Sequence, residues 1–201
     1  MKIKLNYQAA INAALLAGVV LLAGCVSIPA SIKGTTQTPV ESLSTVRETP
    51  ELYIGQEGRF GGKVISVLNS NNQTRLKIAV IPLSKYDAAP ILNTPSVGRL
   101  YAYIGHFLEP SDFTGRYVTV VGTITGIETG KIGSVSYQYV KIAVTGYQRW
   151  NQMQSVVLPP TGAWGYVSPW YPNYPHSLYY WNWGPWGYPG GEAEIRTYLT
   201  E

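Results

Sequence analysis

Residues 61–83 read GGKVISVLNSNNQTRLKIAVIPL, and this stretch decides the fold class. In its second half, Leu76, Ile78 and Val80 alternate with Arg75 and Lys77, a period of two that separates an apolar face of a strand from a charged one. The first half is another run of β-branched residues. The loop NSNNQ between them is rich in asparagine, which tolerates left-handed backbone. The stretch therefore predicts a β-hairpin with one buried face and one solvated face.

Three further runs have the composition of strands, at residues 99–104, 116–124 and 137–144. Five short strands can cover their edges most simply by curling into a small barrel of the OB type, and an open meander is the alternative. In such a barrel Gly61, Gly62 and Gly122 are expected where strands bend sharply. The sequence thus predicts an all-β domain over residues 47–150, in which residues 84–97 form a short helix or a long loop.

The flanks of this domain have a different composition. Residues 25–46 are polar and rich in Ser, Thr and Pro, with no sustained period, which predicts a tether. We expect the β-domain to fold in the absence of this tether. Residues 151–191 contain no charged side chain, and eleven Trp or Tyr residues lie between Trp164 and Tyr188. The many prolines exclude a helix there. So many aromatic rings would form a large apolar patch in water, so we expect them to be buried, partly against the β-domain. Residues 151–201 are predicted to be an aromatic, Gly/Pro-rich C-terminal tail, with the candidate contact residues Trp164, Trp170, Tyr171, Trp181, Trp183 and Trp186.

The chain begins with Lys2 and Lys4, followed by an apolar run over residues 13–23 that is too short to span a bilayer. Cys25 is the only cysteine, so it cannot form an internal disulfide. The sequence LAGC at residues 22–25 resembles the bacterial lipobox, whose cysteine receives diacylglycerol before the chain is cut on its amino side. We therefore expect residues 1–24 to be a lipoprotein signal peptide and Cys25 to be lipidated. An ordinary signal peptide is the alternative.

Cleavage before Cys25 removes two of the fifteen basic residues and none of the eleven acidic ones, leaving a net charge near +2. That balance gives no reason to expect nucleic acid as a partner. The predicted membrane contact is made by the acyl chains on Cys25. Residue 26 is Val, whereas Asp at this position commonly retains lipoproteins in the inner membrane. The resemblance therefore implies the outer membrane, on its periplasmic face.

Residues with the chemistry of a catalytic or metal site are few. His106 and His176 lie far apart and have no metal-ligand partner at a useful spacing, so neither a metal nor a cofactor is expected. Motifs for a nucleophile elbow or a phosphate loop are absent from the sequence. His106 with Glu109 and Asp112 could be drawn as an acid–base cluster, but Pro, Ser and Asp between them are ordinary turn residues. The sequence predicts a protein that is not an enzyme.

Several stretches together resemble the Slp family, outer-membrane lipoproteins of gammaproteobacteria first known as starvation-inducible. They are CVSIP and IKG near the predicted anchor, LYIGQEGRFGGKVISV at residues 52–67, IAVIPL at 78–83, RYVTVVGTITG at 116–126, and the aromatic tail. The resemblance implies an envelope location and a link to stationary phase or stress. It brings no catalytic residue with it.

Two functional hypotheses follow. The first is a non-enzymatic outer-membrane lipoprotein with a structural, adhesive or stress-related role in the envelope. The alternative is a binding module for a glycan or a small molecule, in which Trp and Tyr faces stack on the ligand. An envelope protein or a glycan is the expected partner.

Overall fold

The computed structural model describes residues 27–157 and 194–201 of the chain. Within these ranges the secondary structure consists of six strands, two short α-helices and two 3-10 turns. The strands are β1 Glu57–Ser70, β2 Gln73–Ile81, β3 Gly98–Ile104, β4 Tyr117–Ile132, β5 Val135–Val157 and β6 Glu194–Thr200. The helices are α1 Leu43–Glu48 and α2 Pro110–Phe113, and the 3-10 turns are Ala30–Ile32 and Pro50–Leu52.

The all-β prediction is confirmed, and each of the five expected strands coincides with one of β1 to β5. The hairpin of β1 and β2 is present, with Ser70 paired to Gln73. Asn71 and Asn72 form its turn with φ of 45° and 60°, the left-handed backbone for which asparagine is suited. Leu76, Ile78 and Val80 are buried, as their alternation predicts.

The sheet contains six strands, antiparallel in every pairing except one. β2 pairs with β3, β1 with β4 and β4 with β5, while residues 100–103 of β3 pair in parallel with residues 140–143 of β5. The pairing therefore passes from β1 through β2, β3, β5 and β4 back to β1. Each of these five strands has a partner on both sides, which protects their edges from other chains.

The main core lies between the inward faces of β1 to β5. Two helices contribute to it: Leu43 and Val46 from α1, and Phe113 from α2. Ser42 begins α1, and its hydroxyl oxygen accepts a hydrogen bond from the backbone N–H of Thr45. The residues expected to form a tether thus include part of the core, and Val40 forms a bridge with Gly58 of β1. Leu43 and Val46 are three residues apart, the spacing of one helical turn, but a six-residue helix is too short to give a sustained period, so the sequence pattern did not reveal their burial.

Two glycines lie where neighbouring strands approach closely. A Cβ atom at Gly62 would collide with the carbonyl of Ala79, and one at Gly122 with the carbonyl of Ala143. The register of β4 against β5 shifts between Val121 and Gly122, so Gly122 occupies an irregular point in the strand, as expected. At Gly61 the space is filled by Leu83, Thr119 and the Val118 carbonyl.

Residues 84–97 form turns and a loop, one of the two expected alternatives. A bridge between Leu83 and Pro90 closes the loop, and Ala88 and Ala89 within it are buried. Ala88 has a φ of 58°, which is unusual for alanine. The loop is therefore a packed part of the domain.

The described ends of the predicted tail form a strand pair that the sequence did not reveal. β5 continues to Val157, well beyond the expected residue 144, and residues 151–157 pair antiparallel with β6. Residues 151–157 and 194–200 are called the ribbon below. The described ends of the predicted tail are thus paired strands, while its aromatic, Gly/Pro-rich part over residues 158–193 lies outside the described residues.

Candidate functional site

The predicted site residues lie outside the described part of the chain. Cys25 precedes the first described residue, Ser27, by two positions. The six candidate contact residues all fall within residues 158–193: Trp164, Trp170, Tyr171, Trp181, Trp183 and Trp186. The structure does describe the places where both segments join the domain, namely residues 27–46 and the ribbon. These two junctions form the candidate site.

Arg59 of β1 holds the N-terminal segment on the outer surface of the sheet. Its side chain is almost completely buried, and all three of its nitrogen atoms donate hydrogen bonds. Nε donates to the carbonyl of Ile32 at 2.8 Å and Nη2 to that of Lys33 at 2.6 Å, while Nη1 pairs with Glu41 Oε1 at 3.1 Å. A buried guanidinium is tolerated only when it is paired in this way. The segment that follows the predicted lipid anchor is thus fixed at its backbone.

A second, smaller hydrophobic cluster lies beside this contact. It consists of Ile32, Ala88, Ala89, Val121 and Trp150, and Ile28, Leu83, Tyr117 and Leu199 pack around it. We call these nine residues the anchor-side cluster. It brings the N-terminal segment, the loop after β2 and the base of the ribbon into one packed unit.

A buried hydroxyl connects two parts of this cluster. The indole N–H of Trp150 donates to Thr119 Oγ1 at 2.9 Å, and Thr119 Oγ1 donates to the carbonyl of Ala88 at 2.8 Å. Thr119 therefore satisfies a buried donor and a buried acceptor at once. The contact fixes both the orientation of the Trp150 ring and the position of the loop.

The N-terminal segment runs along β5 toward the ribbon. The carbonyl of Ser31 lies so close to Gly146 that no side chain fits there, and Ser31 Oγ donates to Gln148 Oε1 at 2.9 Å. Ile28, three residues earlier, packs against the cluster that contains Trp150. Cys25 lies three further residues back, a span of at most about 10 Å. The start of the described chain and the base of the ribbon thus lie on the same side of the domain.

Glu57 of β1 makes a second set of hydrogen bonds with the N-terminal segment. The backbone N–H groups of Thr35 and Thr36 donate to its carboxylate at 2.7–3.0 Å, and both hydroxyls donate as well. The hydrogen bond from the Thr36 N–H contributes most to lowering the pKa of Glu57 from 4.5 to about 2, against the opposing effect of burial. A carboxylate saturated with donors is a poor general base. Its geometry is that of a structural contact.

A shallow pocket of about 400 Å³ opens beside Glu57. Its wall carries threonine side chains from both the N-terminal segment and the sheet, and the lining residues are Thr35, Thr36, Thr38, Gly55, Gln56, Glu57, Thr123 and Thr145. None of these side chains is aromatic, and Glu57 is occupied by Thr35 and Thr36. The pocket therefore offers hydroxyl groups and no stacking platform for a sugar ring.

Comparison with known proteins identifies the family. The profile of the outer membrane lipoprotein Slp family matches residues 22–186, most of the chain. The chain belongs to the Slp family. The match begins at Leu22, the first residue of the lipobox-like LAGC.

Three relatives illustrate how far the similarity extends. The chain is 44% identical over 184 residues to the uncharacterized lipoprotein YeaY of Escherichia coli K12, covering 90% of this chain and 91% of that one. It is 41% identical over 147 residues to the outer membrane protein Slp of the same organism, covering 73% and 77%. An uncharacterized protein of Haemophilus influenzae is 32% identical over 123 residues, covering 61% and 67%. Membership in the Slp family implies an outer-membrane location.

This Slp-family chain also contains a tyrosine cluster that the sequence interpretation missed. The rings of Tyr101 and Tyr139 stack with centroids 4.0 Å apart, and Tyr137 contacts Tyr139 edge-on at 4.8 Å. Arg75 lies 4.4 Å from the centroid of Tyr101. Burial raises the pKa of Tyr101. The available signal was the pair Tyr101 and Tyr103 in β3 and the pair Tyr137 and Tyr139 in β5, each two positions apart. Since Tyr101 and Tyr139 are buried against each other, their faces are closed to a ligand.

Glu128 of β4 links this cluster to the sheet. It accepts a hydrogen bond from Tyr103 at 2.7 Å and pairs with Arg75 at 3.2 Å. Burial, followed by the bond to Glu128, raises the pKa of Tyr103. His106 lies against Tyr147, with Nε2 3.4 Å from the hydroxyl oxygen. The family member thus uses its outward-facing polar residues here to join strands.

The described ranges of this Slp-family chain offer neither a metal-binding cluster nor a helix that could cross a membrane. Residues 27–157 and 194–201 contain no group of three His, Cys, Asp or Glu side chains placed to hold a metal ion. In the same ranges, no helix has the length and apolar character needed to cross a membrane.

Proposed function

We propose that this Slp-family protein is a non-enzymatic outer-membrane lipoprotein, anchored through acyl chains on Cys25, whose β-domain is held directly against the periplasmic face of the membrane. The observation that carries the proposal is the fixation of residues 28–36 by Arg59, Glu57 and the anchor-side cluster. A lipoprotein on a long tether can move far from its anchor. Here only a few residues separate Cys25 from a fixed backbone, so the domain stays close to the lipid.

The fold supports a structural role for the domain. We propose that β1 to β5 form a small OB-like barrel, because their pairing passes through five strands and returns to β1. The fold itself carries no function. Its value here is rigidity, since five strands that are each paired on both sides hold the N-terminal segment in one position.

The described polar groups favour a non-enzymatic protein. Glu57 and Glu128, the two acidic side chains with the most hydrogen bonds, are occupied by threonine, tyrosine and arginine partners. Neither is positioned to exchange a proton with a substrate. A structural or adhesive role in the envelope, with the link to stationary phase or stress that the family resemblance implies, is therefore the better proposal.

The alternative role in binding a glycan or small molecule depends on residues 158–193, which contain Trp164 and the other candidate contacts. The described tyrosines give it no support, because the faces of Tyr101 and Tyr139 are used in mutual stacking.

The anchor is tested in cells by fractionation of the envelope and by mass spectrometry of the mature N-terminal peptide. We expect wild-type protein in the outer membrane with diacylglycerol on Cys25, whereas Cys25→Ala accumulates as the precursor that retains residues 1–24. Ser27→Ala, two residues away, is the matched control and should be processed normally. An unmodified N-terminus at another residue of the wild-type protein would contradict the proposal.

A further inference from the structure

Three positively charged side chains lie together on the outer side of β2 and its neighbours. Lys63 of β1 and Arg99 of β3 lie opposite Ala79, one on each side of β2. Lys77 is two residues from Ala79 along β2 and shares its face, because side chains alternate along a strand. Diagonal neighbours of this kind are about 7–8 Å apart. Lys63, Lys77 and Arg99 thus surround one small side chain, and we call these three residues the basic face.

The charge of the basic face is not balanced within the described part of the chain. None of the three ion pairs found there involves Lys63, Lys77 or Arg99. Glu128, which reaches the same side of the sheet, is already paired with Arg75 at 3.2 Å. Like charges at neighbouring positions repel each other, so the basic face lowers stability unless an anion is bound. Lys63 is exposed and the other two are half-buried, so all three are accessible to a partner.

The position of the Lys77 ammonium group is fixed by aromatic rings. Its Nζ lies 5.7 Å from the ring centroid of Tyr101 and 5.5 Å from that of Tyr139, distances at which a cation is attracted to the ring. The two rings stack on each other and are buried, so they offer no open face to a nucleobase or a sugar. The basic face therefore presents held positive charge without a stacking platform, which favours an acidic partner.

The basic face is turned away from the N-terminal segment. That segment contacts β1 at Glu57 and Arg59, and it contacts β5 where Ser31 lies on Gly146 and Gln148. β4 pairs with β1 and β5, whereas β2 pairs with β1 and β3. In this ring of strand pairs, β2 thus lies across from β4 and β5. The basic face is directed away from the chain that leads to Cys25, and so away from the membrane that holds Cys25 under the proposed function.

We propose that the basic face binds the carboxylate groups of the peptides in peptidoglycan, the polymer that lies beneath the outer membrane. The inference rests on the proposed function, because only a domain on the periplasmic face of the membrane can reach this polymer. Ammonium and guanidinium groups form charge-assisted hydrogen bonds with carboxylates. Several cations at neighbouring positions bind a polymer with repeated carboxylates through contacts that salt weakens. The domain then holds the membrane to the cell wall without a covalent bond.

The experiment measures how much of the acylated full-length chain, in detergent, sediments with purified peptidoglycan. In the basic-face variant, glutamine replaces all three cations: Lys63→Gln, Lys77→Gln and Arg99→Gln. The matched control removes three positive charges from exposed positions elsewhere: Lys33→Gln, Lys85→Gln and Arg149→Gln. A second peptidoglycan sample has its carboxylates converted to amides, which tests the ligand with the wild-type chain alone.

We expect the basic-face variant to bind about tenfold more weakly than wild type, since three exposed ion pairs are lost, and the control to bind within about twofold of wild type. Wild type should bind the amidated polymer as weakly as the basic-face variant binds the native one. Equal losses in the two variants, or undiminished binding to amidated peptidoglycan, would overturn the proposal. So would release of the protein by phosphatidylglycerol micelles and not by polyglutamate, since phosphate headgroups would then be the ligand.

Two further measurements complete the test. Urea unfolding with the same midpoint as wild type establishes that each variant is folded, and the amidated polymer gives a result that does not depend on any variant. Mass spectrometry of the same samples reports whether Cys25 is acylated. An unmodified Cys25 refutes the proposed function, whereas acylated protein that fails to bind peptidoglycan refutes only the role of the basic face.

Discussion

At the scale of single residues, Arg59 and Glu57 decide how the N-terminal segment, residues 27–46, is attached to the sheet. Both lie on β1 and both bind backbone groups of the segment: Arg59 its carbonyls and Glu57 its amides. Backbone groups are present in every residue, so this part of the attachment is open to any sequence, and the hydroxyls of Thr35 and Thr36 and the carboxylate of Glu41 add side-chain contacts. The attachment can therefore use a polar sequence rich in Ser and Thr.

Arg59→Ala should lower the free energy of unfolding by about 2–4 kcal/mol, because it leaves two carbonyls and Glu41 without their donor. It should also make the chain easier to cut with trypsin after Lys33, since this segment loses its main contact. Denaturant unfolding and timed proteolysis measure the two effects. Arg196→Ala, which removes an exposed ion pair, is the control and should change stability by less than about 1 kcal/mol. Equal effects of the two substitutions would contradict the role of Arg59.

Glu57 should make stability depend on pH in acid. Its pKa is about 2 in the folded chain and near 4.5 when unfolded, so the unfolded state binds the proton first as the pH falls. The stabilisation is complete above pH 4.5 and is lost as the pH falls from 4.5 to 2. Glu57→Gln should remove this contribution, so that its midpoint falls less steeply than that of wild type over this range.

Thermal unfolding between pH 2 and pH 7 measures this difference. Glu51→Gln at an exposed position controls for the loss of one negative charge. Parallel curves for wild type and Glu57→Gln would show that the contacts with Thr35 and Thr36 are not maintained in solution.

At the scale of elements, the long strands β4 and β5 organise the domain. β5 pairs with β4 over residues 135–150, with β3 over residues 140–143 and with β6 over residues 151–157, and the register of β4 against it shifts twice. Each shift adds twist, which lets one long hairpin curve around the core. Gly122 lies at the first shift, where β4 and β5 are too close for any side chain.

Gly122→Ala should lower the free energy of unfolding by about 1–3 kcal/mol, because the added methyl group would collide with the Ala143 carbonyl. Gly105→Ala is the matched control, since a Cβ atom at Gly105 meets nothing within 4 Å. Urea unfolding of both variants provides the comparison. A Gly122→Ala chain as stable as Gly105→Ala would mean that the strands separate easily at this point.

At the scale of the whole molecule, the N-terminal segment is part of the folded domain. Ile32, Leu43 and Val46 are all buried, and Ile32 belongs to the anchor-side cluster. A force or tilt at Cys25 is thus transmitted to the sheet through a short, packed segment. Under the proposed function, this coupling sets the orientation of the domain at the membrane.

Removal of the segment tests the coupling. We expect the fragment of residues 47–201 to be less stable than residues 27–201 by on the order of 5 kcal/mol, since burial of each of three apolar side chains contributes about 1.5–3 kcal/mol. That loss is comparable with the total stability of many domains, so the shorter fragment should be largely unfolded. Circular dichroism and denaturant titration of the two fragments measure it. A shorter fragment with an unchanged midpoint would restore the interpretation of residues 25–46 as a tether.

The sequence by itself determined the features that depend on local chemistry. Alternation in Leu76, Ile78 and Val80 predicted the buried face of β2, and Asn71 and Asn72 predicted the turn before it, because side-chain period and backbone preference act over a few residues. Five of the six described strands followed from such signals. The stretch LAGC with the flanking motifs was sufficient to predict the family.

The tertiary structure decided everything that depends on residues far apart in the chain. Ile32 and Val46 are spaced without a period, and β6 pairs with a part of β5 that lies 37 residues away at the nearest pair, Val157 with Glu194. From its position in β1, Arg59 would be expected on the solvent-exposed face of the sheet. In the structure it is buried because residues 32–33 pack over it and accept its hydrogen bonds. Burial and pairing of this kind arise from the packing of whole elements, so a short window of sequence holds no signal for them. For this reason the sequence did not reveal that residues 32–36 bind Arg59 and Glu57, or that residues 151–157 pair with β6.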